Sequence, residues 1–302
     1  MAYHHHHGPA DYNRAFAFGV ALNLGYIAVE ATFGFLVGSL ALLADAGHNL
    51  SDVLGLVLAW GGNYLAQRKP TKRFTYGWRK SSILTALMNA IILLMVMGGI
   101  AWEAILSFND PSPRAGKTII IVAAVGVVIN TVTALLFLSG RKSDLNIRAA
   151  FLHMAADAGI SAGVVAAGAI IVATGWFWID PAVSLLITVI IVIGTWGLLR
   201  DSFNLVLDAV PEGIDLEAVK AYLAGLPGVM GVHDLHVWAM STTETALTAH
   251  LVKPNPADDD VLLEKAGNEL HERFGIEHTT LQWERCDEAS QCGTACEIDQ
   301  NE

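Results

Sequence analysis

Two short stretches, His48-Asn49-Leu50-Ser51-Asp52 and His153-Met154-Ala155-Ala156-Asp157, each set a histidine and an aspartate four residues apart. On a helix that spacing puts both side chains on one face, where they can grip the same atom. Each stretch lies inside a long apolar run. A charged residue at the centre of a membrane helix costs roughly 2.5–3.5 kcal/mol on insertion scales, so ionisable pairs there point to a functional site. Together His48, Asp52, His153 and Asp157 offer two imidazole nitrogens and two carboxylate oxygens. Such a set suits a tetrahedral divalent ion, Zn²⁺ first and Co²⁺ next, with a softer ion disfavoured by the absence of thiolate. The competing reading is a pair of local hydrogen bonds, each histidine satisfied by its own aspartate; two matched words favour the metal. Only neutral imidazole binds metal, so protons compete for the same nitrogens and can be exchanged against the ion.

The elements that must position these residues are apolar helices. The 302-residue chain is 53% hydrophobic and 16% charged, with mean hydropathy +0.46. About 20 apolar residues make one helical span, and the pattern predicts six, over 15–37, 40–66, 81–108, 118–138, 149–173 and 181–199. The first carries Glu30 and lacks a small-residue cleavage site, so it does not read as a cleaved signal. Small residues crowd the two His/Asp words, among them Ala44, Gly47 and Gly55 in the second span and Ala155, Gly159 and Gly163 in the fifth. Small side chains let helix backbones approach in lipid, so these two spans are expected to pack together and bring the four ligands to one point.

Arg68, Lys69, Lys72, Arg73, Arg79 and Lys80 lie between spans two and three, and Arg141, Lys142 and Arg148 between four and five. The opposite connections hold Arg114 and Lys117, which places both termini in the cytoplasm. Residues 1–200 carry 13 basic and 9 acidic side chains, whereas residues 201–302 carry 5 and 20. An acidic field of that strength concentrates cations and repels nucleic acid, which excludes a nucleic-acid partner. Cys286, Cys292 and Cys296 all lie in the last stretch, where a reducing compartment keeps thiols free or metal-bound.

After Arg200 the pattern becomes that of a small α+β domain. Asp215 caps a helix to about Leu226, strands follow over 229–240 and 243–252, Asp258 or Asp259 opens a helix to about Phe274, and a last strand covers 278–285. Helix, strand, strand, helix, strand is a ferredoxin-like order. The expected domains are a His-containing segment 1–13 with His4 to His7, a six-helix membrane domain 14–200, the ferredoxin-like domain 201–285 and an acidic Cys-containing tail 286–302.

Other polar residues have several readings. Asp45 fixes the His48 tautomer, lines an entry path or makes a structural hydrogen bond. Glu30, Asn89 and Asn130 read as interhelical hydrogen bonds, and Glu103 sits near a membrane surface. His233, His236, His250, His278 and Glu284 occupy the soluble strands. His233 and His236 have opposite parity along a strand, so they face opposite sides unless the strand is bulged.

The words Leu43-Ala44-Asp45-Ala46-Gly47-His48-Asn49-Leu50-Ser51-Asp52 and His153-Met154-Ala155-Ala156-Asp157, with Phe74-Thr75-Tyr76-Gly77-Trp78-Arg79-Lys80 and Val232-His233-Asp234-Leu235-His236-Val237-Trp238, resemble the cation diffusion facilitators of the bacterial zinc-efflux type. The resemblance runs from about residue 14 to 285. It implies a homodimer in the inner membrane, six spans per protomer, and export of Zn²⁺ from the cytosol against protons. It implies a transport site at His48, Asp52, His153 and Asp157, and a cytoplasmic metal site at His233, His250, His278 and Glu284. It also implies a charge pair between Lys80 and Asp208. The connection between spans two and three offers Thr71, Phe74 and Trp78 where some relatives have metal ligands, so no metal is expected there. The tail cysteines resemble tails that meet amino-terminal histidines around a metal. Alternatives from other classes are a membrane zinc sensor without transport and an intramembrane metalloenzyme; the latter lacks a His-Glu-x-x-His word and an open coordination position, so no enzyme is expected.

Overall fold

The computed structural model describes residues 13–109, 113, 115–138 and 145–285. The expectations for His4 to His7 and for Cys286, Cys292 and Cys296 lie outside the described residues. Six long helices come first: α1 (Asn13–Val37), α2 (Leu40–Ala66), α3 (Ser81–Asn109), α4 (Gly116–Phe137), α5 (Leu145–Thr174) and α6 (Ile179–Val206). By length and composition α3 to α6 suffice to cross a membrane, and the apolar stretch of α1, Ala21–Val37, is shorter. Large apolar side chains such as Phe35, Leu36 and Ile193 stand more than 70% exposed on them, the surface expected of helices in lipid rather than water.

The chain divides into two compact units, one of residues 1–57 and 88–197, the other of 58–87 and 198–302. In the first, Tyr26, Leu42, Met97, Ile119, Val164 and Ile187 form a buried core. Glycines admit close helix contact, but not where the sequence suggested. A side chain at Gly168 on α5 would strike Ile120 and the Gly116 carbonyl of α4, and one at Gly47 on α2 would press on Met97 and Val96 of α3. Gly159 and Gly163 face open space. The small residues of α2 and α5 therefore seat other helices, and these two meet through their polar side chains.

The second unit contains α7 (Leu216–Ala224), β1 (Gly231–Ala239), β2 (Thr245–Val252), α8 (Asp259–Phe274) and β3 (His278–Glu284). Asp215 caps α7 by accepting from the Ala218 amide at 3.1 Å. β1 pairs antiparallel with β2, and β2 parallel with β3, the latter joined by the α8 crossover that a parallel pair requires. Val219, Leu223, Leu247, Leu251, Leu270 and Ile276 fill the core between sheet and helices. α6 runs on to Val206, beyond the expected end at residue 199. Hydropathy reports where lipid ends, and a helix continues past that point through Arg200, Asp201 and Ser202.

Candidate metal centres

α2 supplies His48 and Asp52, and α5 supplies His153 and Asp157, each pair one helical turn apart. His48 Nε2 lies 3.6 Å from Asp52 Oδ2 and 3.5 Å from Asp157 Oδ1. His153 Nε2 lies 3.2 Å from Asp52 Oδ2 and 3.7 Å from Asp157 Oδ2. The two rings stand edge to face with centroids 6.1 Å apart. One ligand atom each from Asp52, His153 and Asp157 lies within 4.8 Å of the others, and His48 stands beside this group with its Nε2 near both aspartates.

The spacing is compatible with metal ligation. A tetrahedron with bonds of about 2.1 Å has edges of about 3.4 Å, the middle of the observed distances. Hydrogen bonds between nitrogen and carboxylate run shorter, about 2.7–3.2 Å. Asp52 Oδ2 and Asp157 Oδ2 are indeed buried without a hydrogen bond, despite the imidazoles beside them. Buried oxygens left this way are costly, and a divalent cation is one partner that would satisfy them.

Asp45, the other acid of this stretch, points elsewhere. It accepts from Ser161 Oγ at 2.9 Å and from Asn49 Nδ2 at 3.4 Å, which makes it a buried hydrogen-bonded group beside the ligands. At the start of α2, Ser39 Oγ donates to Asp180 Oδ1 at 2.5 Å and the Leu40 amide to Asp180 Oδ2 at 2.8 Å. Asp180 thus caps a helix remote in sequence.

In the second unit a bulge between His233 and His236, with Asp234 at φ 52°, resets the strand. His233 then stands opposite His250 in the ladder. Glu284 bridges them: its Oε2 lies 2.9 Å from His233 Nε2 and its Oε1 2.8 Å from His250 Nδ1. Partial burial disfavours the charged carboxyl, but the hydrogen bonds from His233 and His250 outweigh this and hold it below its ordinary value. His236 stays outside this trio. It contacts Asp234 Oδ1 at 3.0 Å, while Asp234 Oδ2 lies 3.6 Å from His250 Nε2, so Asp234 is a neighbour that sequence reasoning missed.

His278 is a correction. It opens β3 opposite Ala246, whereas Glu284 ends it opposite Val252. Six residues of strand span about 20 Å, too far for one ion. His278 Nε2 instead accepts from Arg79 Nη1 at 2.6 Å, and Arg79 also pairs with Glu244 at 3.0 Å. The expected pair of Lys80 with Asp208 is present at 2.6 Å, though both are half-exposed and such a pair contributes about 0–1 kcal/mol.

The cation efflux transmembrane domain matches residues 17–207, and the cytoplasmic domain of cation efflux proteins matches 211–286. Zinc transporter ZitB of Shigella flexneri is 38% identical over 293 residues, covering 94% of this chain and 93% of that protein. Cation efflux system protein CzcD of an Alcaligenes species is 34% identical, covering 93% and 89%. The cadmium, cobalt and zinc/H(+)-K(+) antiporter of Bacillus subtilis is 33% identical, covering 93% and 91%. A solved metal-bound C-terminal domain of the CzcD transporter is 33% identical over 24% of this chain and 99% of that chain, at a TM-score of 0.22. Matches to both domains, with relatives aligned along nearly their whole length, establish that this chain belongs to the cation efflux family, as a multi-pass membrane transporter of the zinc-efflux type with a cytoplasmic C-terminal domain.

Proposed function

We propose that this protein exports Zn²⁺ from the cytosol in exchange for protons, with His48, Asp52, His153 and Asp157 holding the ion in transit. The observation that carries the reading is the set of four nitrogen–oxygen distances of 3.2–3.7 Å by which two histidines and two aspartates meet across α2 and α5. It is supported by the relatives' names, which include zinc transporters and a metal/proton antiporter. Two imidazoles with two carboxylates favour Zn²⁺, with Co²⁺ and Cd²⁺ as secondary cargo.

The ion sheds water as the four side chains replace its hydration shell. The two carboxylates cancel its charge, so the loaded site is neutral in the membrane interior. When the helices open to the far side, protons compete for His48 and His153 and release the ion, the alternating-access solution common to secondary transporters. The reading includes six crossings, both termini in the cytoplasm, the inner membrane and a homodimer. The domain borders proposed are 14–200 and 201–285, flanked by 1–13 and 286–302. His233, His250 and Glu284 form a three-ligand cytoplasmic site that biases the dimer toward transport.

The test is Zn²⁺ uptake into proteoliposomes under an imposed pH gradient. Uptake that follows the gradient is expected. Zinc binding without flux would indicate a sensor, and turnover of a substrate without flux an enzyme.

A further inference from the structure

Glu30 on α1 and Asp45 on α2 are both 0% exposed, yet neither belongs to the four-ligand set. Asp45 has a donor on each oxygen, Ser161 Oγ on Oδ2 and Asn49 Nδ2 on Oδ1. Glu30 has one, the Tyr26 hydroxyl, which donates to Oε1 at 2.7 Å. Its other oxygen, Oε2, is buried without a hydrogen bond. Next to the Glu30 carboxyl stand the Asp45 carboxyl and the Asn49 amide, the latter donating to Asp45 Oδ1. Two acceptors therefore confront each other, and their partners are a phenol, a hydroxyl and an amide, none of them a cation. A bare pair of carboxylates is strongly unfavourable in such surroundings. One proton removes a charge and turns the opposed acceptors into an O–H···O bond.

We propose that Glu30 Oε2 binds a proton and donates it as a hydrogen bond to the Asp45 carboxylate, forming an intramembrane proton site separate from the metal ligands and coupled to them. Asp45 is the acceptor because both its oxygens already take donors, which suits a carboxylate. Glu30 is the acid because its free oxygen has room for a hydrogen.

The coupling follows from position. Asp45 stands three residues before His48 on α2, and its donor Ser161 four residues after Asp157 on α5. The titratable groups acting on the pair are Tyr26 of α1, His48 of α2 and Asp157 of α5. α4, which packs on α1, has Lys117 in its first turn as its one ionisable residue. A divalent ion at His48 and Asp157 adds positive charge beside Asp45 and favours loss of the Glu30 proton. By reciprocity, proton binding there favours release of the ion. The proposal rests on the four-ligand reading, and the test separates the two.

Zn²⁺ is titrated into the full chain in nanodiscs, in two buffers of different ionisation enthalpy, to count protons released per ion. The titration uses a His233→Ala, His250→Ala background to silence the cytoplasmic cluster. Glu30→Gln is expected to bind the ion and release fewer protons, by up to one; an unchanged count overturns the proposal. A second measurement needs no variant at Glu30. In protein carrying ¹³C-glutamate, Zn²⁺ addition is expected to bleach a protonated-carboxyl C=O band that the label shifts. A band that the label does not move, or no band, overturns it. Asp157→Ala is expected to abolish binding at the membrane site; binding retained there would refute the four-ligand reading and leave the proton count to judge Glu30.

Discussion

His153 and Asp52 approach to 3.2 Å between α5 and α2, closer than either histidine comes to the aspartate of its own helix, at 3.6 and 3.7 Å. Each carboxylate is therefore shared between helices. A cluster built this way exists only while α2 and α5 hold their relative position, so a motion that separates them disassembles it.

Asp52→Asn and Asp157→Asn each remove a charge and leave the ion net positive in the membrane interior. Outer-shell changes at metal sites already cost 10–100-fold in affinity, so loss of a ligand is expected to cost about 100-fold or more. Zinc binding by calorimetry on the full chain, together with vesicle flux, checks this.

Asp180→Ala deletes the acceptor of both Ser39 Oγ and the Leu40 amide at the start of α2. Loss of a helix cap costs about 1–2 kcal/mol. Thermal unfolding in detergent is expected to shift down, and zinc affinity is expected to fall with it, because α2 carries His48 and Asp52. Asp180→Asn keeps one acceptor and is expected to retain part of the stability.

Lys253 is 3% exposed, and its ammonium donates to Asp259 at 2.8 Å and to the Ala257 carbonyl at 2.6 Å. Lys253→Met keeps the apolar stem but strands those acceptors, at a cost of about 1.5–3 kcal/mol. Chemical denaturation followed by tryptophan fluorescence, with Trp238 and Trp283 in the affected domain, reads the change.

The same cluster sets an acid limit. The Lys253 hydrogen bond, joined by Arg285, holds the Asp259 carboxyl below its usual value. A lowered acid contributes stability above its unfolded value, about pH 3.9, and loses it as pH falls through the folded value. Wild type and Asp259→Asn are therefore expected to differ most at neutral pH and to converge below about pH 4. Melting curves over pH 3–7 check the convergence.

Helix positions were legible because lipid imposes apolar runs of fixed length, and the cytoplasmic elements because Asp215 and the strand alternation mark their borders. The meeting of His48, Asp52, His153 and Asp157 was legible from an energetic anomaly, charge within apolar sequence. What the i, i+4 spacing could not tell is that the tighter contacts run between helices, since sequence periodicity describes one helix at a time. The small residues misled for the same reason: Gly47 does seat a neighbour, but on α3, while Gly159 and Gly163 face open space. His278 was misplaced because a motif match carries residue types without distances along β3. The bulge that turns His233 toward His250 needs Asp234 in a left-handed conformation, which nothing in alternating hydropathy announces.

The most direct measurement is zinc K-edge X-ray absorption on full-length protein carrying His233→Ala and His250→Ala, loaded with one equivalent of Zn²⁺. Four nitrogen and oxygen ligands at about 2.0–2.1 Å, two of them imidazoles, are predicted, with the imidazole signal halved in His153→Ala. A six-coordinate oxygen shell, sulfur ligation, or a spectrum unchanged by His153→Ala would contradict the account.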